Sequence, residues 1–182
     1  MGIAAGYLLI FFVLAAALAY VVFMSDSAIG HLDFTSNRIV ANRVIDIIKS
    51  KHLENGSFYD LGSARGIFAV RIAKRLPKLS VYGIDDSRFR IFCSNISAKF
   101  FKNLQFKEQD IFTVDVSGAD VVYLYLPKEL MPALQTKLQK ELKPGSLVIS
   151  NSVSFDSWIP GETIAVNKNK TDFKKLFVYK LA

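Results

Sequence analysis

The segment Tyr59-Asp60-Leu61-Gly62-Ser63-Ala64-Arg65-Gly66 ends an apolar run in a carboxylate and follows it with small side chains. Such a turn lets backbone approach a ligand, and Gly62 and Gly66 can take the positive dihedrals it needs. A second apolar run closes with Tyr82-Gly83-Ile84-Asp85, so that Asp85 stands 19 residues beyond Gly66 (85 − 66). A carboxylate at that spacing can accept hydrogen bonds from both hydroxyls of a ribose. Asp86 is the next candidate, or else a cap for the helix starting near Ser87. A third run leads into Gln109-Asp110-Ile111, which is a ligand contact or a solvated loop. The fourth ends Tyr123-Leu124-Tyr125-Leu126-Pro127 and brings a phenol and backbone carbonyls but no acid or amide.

Several chemistries are excluded by spacing. A dinucleotide fingerprint needs glycine at 62, 64 and 67, where the chain has Gly62, Ala64 and Ile67. No Gly-Lys-Ser or Gly-Lys-Thr loop is present to cradle phosphates. His31 and His52 belong to no ligand-spaced cluster, so no metal site is expected, and Ser-His-Asp catalysis has no support. Arg65 can pair with a ligand carboxylate or point to solvent.

The turn at Asp60 resembles the first motif of class I S-adenosyl-L-methionine (SAM)-dependent methyltransferases, an acid followed by three glycines at alternate positions. Ala64 replaces the middle glycine. The resemblance implies SAM as cofactor, held by Asp60, Gly62, Ser63, Ala64, Gly66, Asp85, Asp86, Gln109 and Asp110, with an acid near Asp110 contacting the adenine amino group. The Leu124-Tyr125-Leu126-Pro127 ending resembles the membrane-anchored lysine methyltransferases of the ATP synthase c-subunit and their prokaryotic relatives. Val148-Ile149-Ser150-Asn151-Ser152, Trp158 and Leu176-Phe177-Val178-Tyr179-Lys180 share in the likeness. It implies methyl transfer to lysine of a membrane protein, with Tyr125, Leu126 and Pro127 at the reacting amine. Such a sparse site suits the reaction. Displacement at a sulfonium methyl needs a deprotonated nucleophile held in line more than it needs an acid or base, and an aromatic face favours a cationic donor. The alternatives are a degenerate fold that binds a partner or senses SAM, motivated by Ala64, and an acceptor that is a lipid or small molecule.

The elements that must position these residues alternate along the chain. Strands are expected at 57–61, 79–84, 104–108, 119–126 and 146–150, with helices at 67–76 and 87–100 and one beginning at Pro127. Leu130, Leu134, Leu138 and Leu142 stripe that last helix until Pro144-Gly145 stops it. Two further strand-like runs, 163–166 and 176–181, have no helix between them and form a hairpin. The pattern predicts an α/β, Rossmann-like, seven-stranded, mostly parallel sheet with a C-terminal antiparallel hairpin. Before it, residues 34–53 form an amphipathic helix with Ile39, Val40, Val44, Ile47 and Ile48 inward and Thr35 or Ser36 as cap.

Of 182 residues, 51% are hydrophobic, and the excess lies at one end. Ile3 to Met24 contains no charge, and a helix of about 22 residues covers roughly 33 Å, enough for a hydrocarbon core of about 30 Å. The competing reading, a cleaved secretory signal, is disfavoured by the absence of a basic residue ahead of a run this long. Residues 1–25 are therefore expected to be a transmembrane anchor, 26–33 a linker with a break at Gly30, and 34–182 the catalytic domain. Arg38, Arg43, Lys49 and Lys51 follow the span, which places that domain on the cytoplasmic side. The net charge of +7 is scattered among Asp and Glu and suits anionic lipid rather than nucleic acid. The single cysteine, Cys93, forbids an internal disulfide, suits a reducing compartment and is expected to pack in the core.

Overall fold

The computed structural model describes residues 2–29, 38–166 and 175–182. The chain divides into two compact units, Met1–Phe34 and Thr35–Ala182. The first unit contains one helix, α1 (Gly2–Ile29), of 28 residues. Its described side chains, Gly6 to Val21, are all exposed. Among the described residues no helix is long and apolar enough to cross a membrane, so the anchor expected over 1–25 is present as a helix and not as a demonstrated span. The helix also continues through Ser25–Ile29, into the segment expected to be polar connector. Gly30, His31, the second half of the linker, the start of the domain and the caps Thr35 and Ser36 lie outside the described residues.

The second unit carries α2 (Arg38–Ser50), β1 (Ser57–Leu61), α3 (Ile67–Arg75), β2 (Ser80–Asp85), α4 (Arg88–Ala98), β3 (Leu104–Glu108), β4 (Val121–Leu124), α5 (Met131–Glu141), β5 (Leu147–Asn151), β6 (Glu162–Ala165) and β7 (Lys175–Lys180). The strands form one sheet in the order β3-β2-β1-β4-β5-β7-β6. The first five are parallel, while β7 runs antiparallel to both β5 and β6. Strand order reverses between β1 and β4, and ligands of such sheets bind at the carboxyl edge of that switch point.

Both faces of the sheet are covered. Val40, Val44 and Ile48 of α2, Phe68 and Ile72 of α3 and Ile91 of α4 pack on one face with Phe58, Phe106 and Tyr123. Met131, Leu134, Leu138 and Leu142 pack on the other with Leu61, Val122, Leu124 and Tyr179. β4 and β5 are buried throughout, as central strands covered on both faces must be. The outermost strands differ: β3 exposes Gln105, Lys107 and Glu108, and β6 is exposed at three of its four residues.

Some expected boundaries shift for identifiable reasons. β4 covers 121–124 rather than 119–126. Upstream, the Ala119 N–H donates to the Val116 carbonyl and closes a turn. Downstream, β1 ends at Leu61, the register partner of Leu124, so the ladder on that side stops there. The helix expected from Pro127 begins as a 3-10 turn, Lys128–Leu130. Pro132 lacks an N–H and crowds the carbonyl four residues back, so α-helical geometry starts only at Met131. Ile39 is exposed, and Cys93 is half-buried rather than a packed core thiol.

Candidate active site

The turn after β1 is tied to the end of β2. Gly62 N–H and Ser63 N–H both donate to the Ile84 carbonyl, at 2.9 and 2.8 Å, and Gly66 N–H closes back on Ser63 O at 2.8 Å. Positive φ recurs at alternate positions: 81° at Gly62, 47° at Ala64 and 71° at Gly66. Space as well as conformation demands the two glycines. A Cβ on Gly62 would lie 2.6 Å from Leu126 Cδ2, and one on Gly66 would lie 2.3 Å from Phe106 Cζ. The Phe106 ring also fills the space over its register partner Gly83, where a Cβ would approach Cδ1 to 2.3 Å. Phe106 is thus the floor of the turn, and no spacing rule singles it out. α3 leaves from Gly66 with no side chain capping its first N–H groups.

Asp85 holds the turn from the side. Its Oδ2 accepts from Ala64 N–H at 2.8 Å and its Oδ1 from Ser87 N–H at 2.9 Å. Arg90 Nε pairs with Oδ1 at 3.1 Å. Burial pushes the Asp85 carboxyl up, against the lowering effects of Ser87, Arg90 and Ala64, with the neighbouring Asp86 charge raising it further. Asp60, across β1 and β2, is also buried, and its carboxyl is pushed up to about 8, first by burial and then by the charge of Asp85. Among the described residues Asp60 Oδ2 and Ser63 Oγ have no hydrogen-bond partner although both are buried. Folded proteins seldom leave such atoms unpaired, at about 1–3 kcal/mol each. A ligand with hydroxyl or ammonium donors would satisfy both.

The buried acid makes stability depend on pH with a defined sign. Folded Asp60 holds a proton at a pH where the unfolded chain, near the ordinary 3.8, has released it. Its contribution is full below 3.8 and is lost as the pH rises to about 8. Asp60→Asn should therefore flatten the decline in melting temperature that the unaltered protein shows across that window. An equal decline in both proteins, measured by circular dichroism, would assign it to other groups.

The other residues singled out from the sequence are placed unevenly. Gln109 N–H donates to the Asp85 carbonyl, which brings the third loop to the second. Asp110 is exposed, and its Oδ1 accepts from Phe112 N–H at 2.8 Å in a local turn. Asp86 is exposed and pairs with Arg90 at 3.7 Å. It does not cap α4, because Ser87 does so by accepting from Arg90 N–H at 3.4 Å. Arg65 is half-buried and not simply solvated. Tyr125, Leu126 and Pro127 are half-buried at the end of β4, Tyr125 against the α2 and α3 side and Leu126 against the α5 side. Beneath them lies a pair that sequence reasoning misses: Asn151 Nδ2 donates to Tyr123 Oη at 3.0 Å, and the Tyr123 ring stacks on Phe68 at 4.1 Å. Tyr179 Oη accepts from Phe155 N–H nearby in the opposite core.

The model of the ANTKMT methyltransferase domain family matches residues 60–162. The chain belongs to this family. It is similar to a protein-lysine N-methyltransferase of Saccharolobus islandicus, with 32% identity over 138 residues, covering 72% of the chain and 84% of that protein. It is also similar to the lysine N-methyltransferase of the ATP synthase c-subunit from Rattus norvegicus, 27% identical over 130 residues, covering 68% of the chain and 57% of that protein. Among solved structures, an RNA methyltransferase of Salinibacter ruber in complex with S-adenosyl-L-homocysteine superposes with a TM-score of 0.72 over 81% of this chain and 93% of that one. At 24% identity this likeness concerns the fold.

This methyltransferase is thus a class I enzyme with SAM as its cofactor, and the unpaired Asp60 and Ser63 atoms fit such a group. Ala64 is the departure from the family motif. An L-residue in the left-handed region costs about 1–2 kcal/mol, while glycine loses about 0.4–1 kcal/mol through a freer unfolded chain. Ala64→Gly is therefore expected to leave stability unchanged or raise it by up to about 1.6 kcal/mol and, with SAM lying against this turn as the family motif implies, to tighten its binding. Weaker binding in a calorimetric titration would mean that the turn has been rebuilt around alanine.

Proposed function

We propose that this methyltransferase transfers methyl groups from SAM to lysine side chains of a membrane-associated protein, tethered by α1 with its catalytic domain on the cytoplasmic side. The observation that carries the acceptor is the 32% identity to a protein-lysine N-methyltransferase across 84% of that protein's length. In this reading Asp85 receives the ribose hydroxyls, Asp60 and Ser63 receive the polar end of the cofactor, and backbone at Gly62, Ala64 and Gly66 lies against it. Asp86 lies beside the ribose, and Gln109 and Asp110 take the adenine. The lysine amine, neutral when it reacts, attacks the methyl carbon with its lone pair as the carbon–sulfur bond breaks. S-adenosyl-L-homocysteine leaves, and the amine proton passes to solvent. Tyr125 and the carbonyls of Leu126 and Pro127 orient the amine, a role in keeping with an edge that offers position rather than an acid or base.

The tether is supported by the uncharged run from Ile3 to Met24, by its helical form and by the exposure of its large apolar side chains from Tyr7 to Val21. The basic residues that follow it favour the cytoplasmic placement. Incubation of membranes with methyl-labelled SAM and the purified enzyme should label a polypeptide, and hydrolysis should release methylated lysine. Label confined to lipid or small molecules would redirect the acceptor. The left-handed Ala64 favours a second reading, a protein that binds SAM without transfer, which predicts calorimetric binding with no labelled product. Release of the full chain from membranes by alkaline carbonate would count against the tether alone.

A further inference from the structure

We infer that the helical layer formed by α2, α3 and α4 is a docking face for an anionic lipid surface. Phe92, Ile96 and Phe100 are 66%, 53% and 82% exposed. Their four-residue spacing sets them in one stripe along the outer side of α4 and the turn after it. A contiguous apolar stripe on a soluble domain marks a partner, since nothing in the core accounts for it. Its borders are cationic: Arg88 at the start of α4, then Lys99 and Lys102, all exposed.

The charge of the neighbouring helices points the same way. Neither α3 nor α4 contains an acidic residue, and α2 carries one, Asp46. Between α2 and α3 lies a groove of about 340 Å³ lined by Arg38, Asn42, Arg71, Lys74 and Arg75. All three helices cover the same side of the sheet, so groove and stripe share one layer. Apolar side chains entering the headgroup region beside cations on lipid phosphates form the pattern of a helix lying in a bilayer interface. A second copy of the chain is a poor occupant, because two such faces would bring their cations together. Nucleic acid is a poor occupant of the stripe, where Ile96 stands between the two rings and offers no face for a base.

The inference concerns the second unit alone and needs no insertion of α1. The test uses the full chain as Cys93→Ser/Ile96→Cys, carrying an environment-sensitive fluorophore, in nanodiscs of phosphatidylcholine with or without phosphatidylserine. Retention of the chain in both discs reports the tether, so any difference between them reports the face. The label should shift to the blue and be quenched by brominated lipid in the phosphatidylserine discs. Lys74→Gln with Arg75→Gln should lower the docking constant roughly 25-fold, about fivefold for each cation removed, while SAM binding is kept. Identical emission in both discs would overturn the proposal. So would a shift that appears on adding RNA to the phosphatidylcholine discs and not with phosphatidylserine.

Discussion

Asp85→Ala is expected to weaken SAM binding by at least about a hundredfold if Asp85 receives the ribose as proposed, since each hydrogen bond to a charged group is worth about 1.5–3 kcal/mol and two hydroxyls would lose their acceptor together. The effect has a second source. The same carboxylate holds Ala64 N–H at 2.8 Å and Ser87 N–H at 2.9 Å, so its removal frees the glycine turn and takes away the ion pair at Arg90 Nε. Asp85→Asn separates the two effects. Its amide oxygen can still accept from one N–H, and it should preserve more of the fold than of the affinity. Calorimetric titration and thermal melting on both variants provide the comparison. An Asp85→Ala protein that binds SAM within tenfold of the unaltered chain would remove Asp85 from the site.

Gly66→Ala is the second large effect. It places an L-residue at φ 71°, at about 1–2 kcal/mol. Its methyl group would also meet Phe106 Cζ at 2.3 Å, at about 1–3 kcal/mol for overpacking. The sum, about 2–5 kcal/mol, corresponds to a fall in melting temperature on the order of 10 °C for a domain of this size. Ala64 is an internal control, because this turn already tolerates a non-glycine residue at positive φ. The steric part should therefore be separable. Adding Phe106→Leu to Gly66→Ala removes the ring atom in the way, and the double variant should recover part of the loss despite the cost of Phe106→Leu alone. Additive losses would mean that the turn shifts without touching the ring.

The parts of the fold that were legible in the sequence are those where local chemistry and long-range packing ask for the same thing. β1 and β3 fall at their expected residues because turn-forming and polar residues bound short apolar runs. The α5 stripe packs as its spacing requires, with Leu134 and Leu138 fully buried. The central strands and the terminal hairpin follow from helices that are present between some strands and absent between others.

What stayed hidden depends on groups brought together from distant positions. Asp85 shows from its spacing that it can receive hydroxyls, but not that its oxygens also bind the backbone of a turn 21 residues earlier. Gly83 reads as an ordinary strand glycine until Phe106 is seen in register beside it. Asp60 ends a strand as many acids do, and only burial next to Asp85 sets its carboxyl apart. Asp86 has the chemistry of a cap and precedes the expected helix, yet the path of the backbone gives that role to Ser87. Arg90 lies within a helix whose sequence gives no sign that it faces the end of β2.

The two margins of the sheet bear on how crowded copies of the enzyme behave. An unpaired strand edge is a template for another chain, and long apolar edges seed aggregation. Here one margin is five residues bearing Lys107 and Glu108, and the other is four residues opening on Glu162 just after Pro160 and Gly161. Short length, charge and a preceding proline make both poor templates, so the domain can reach high local density without its sheets fusing into larger ones.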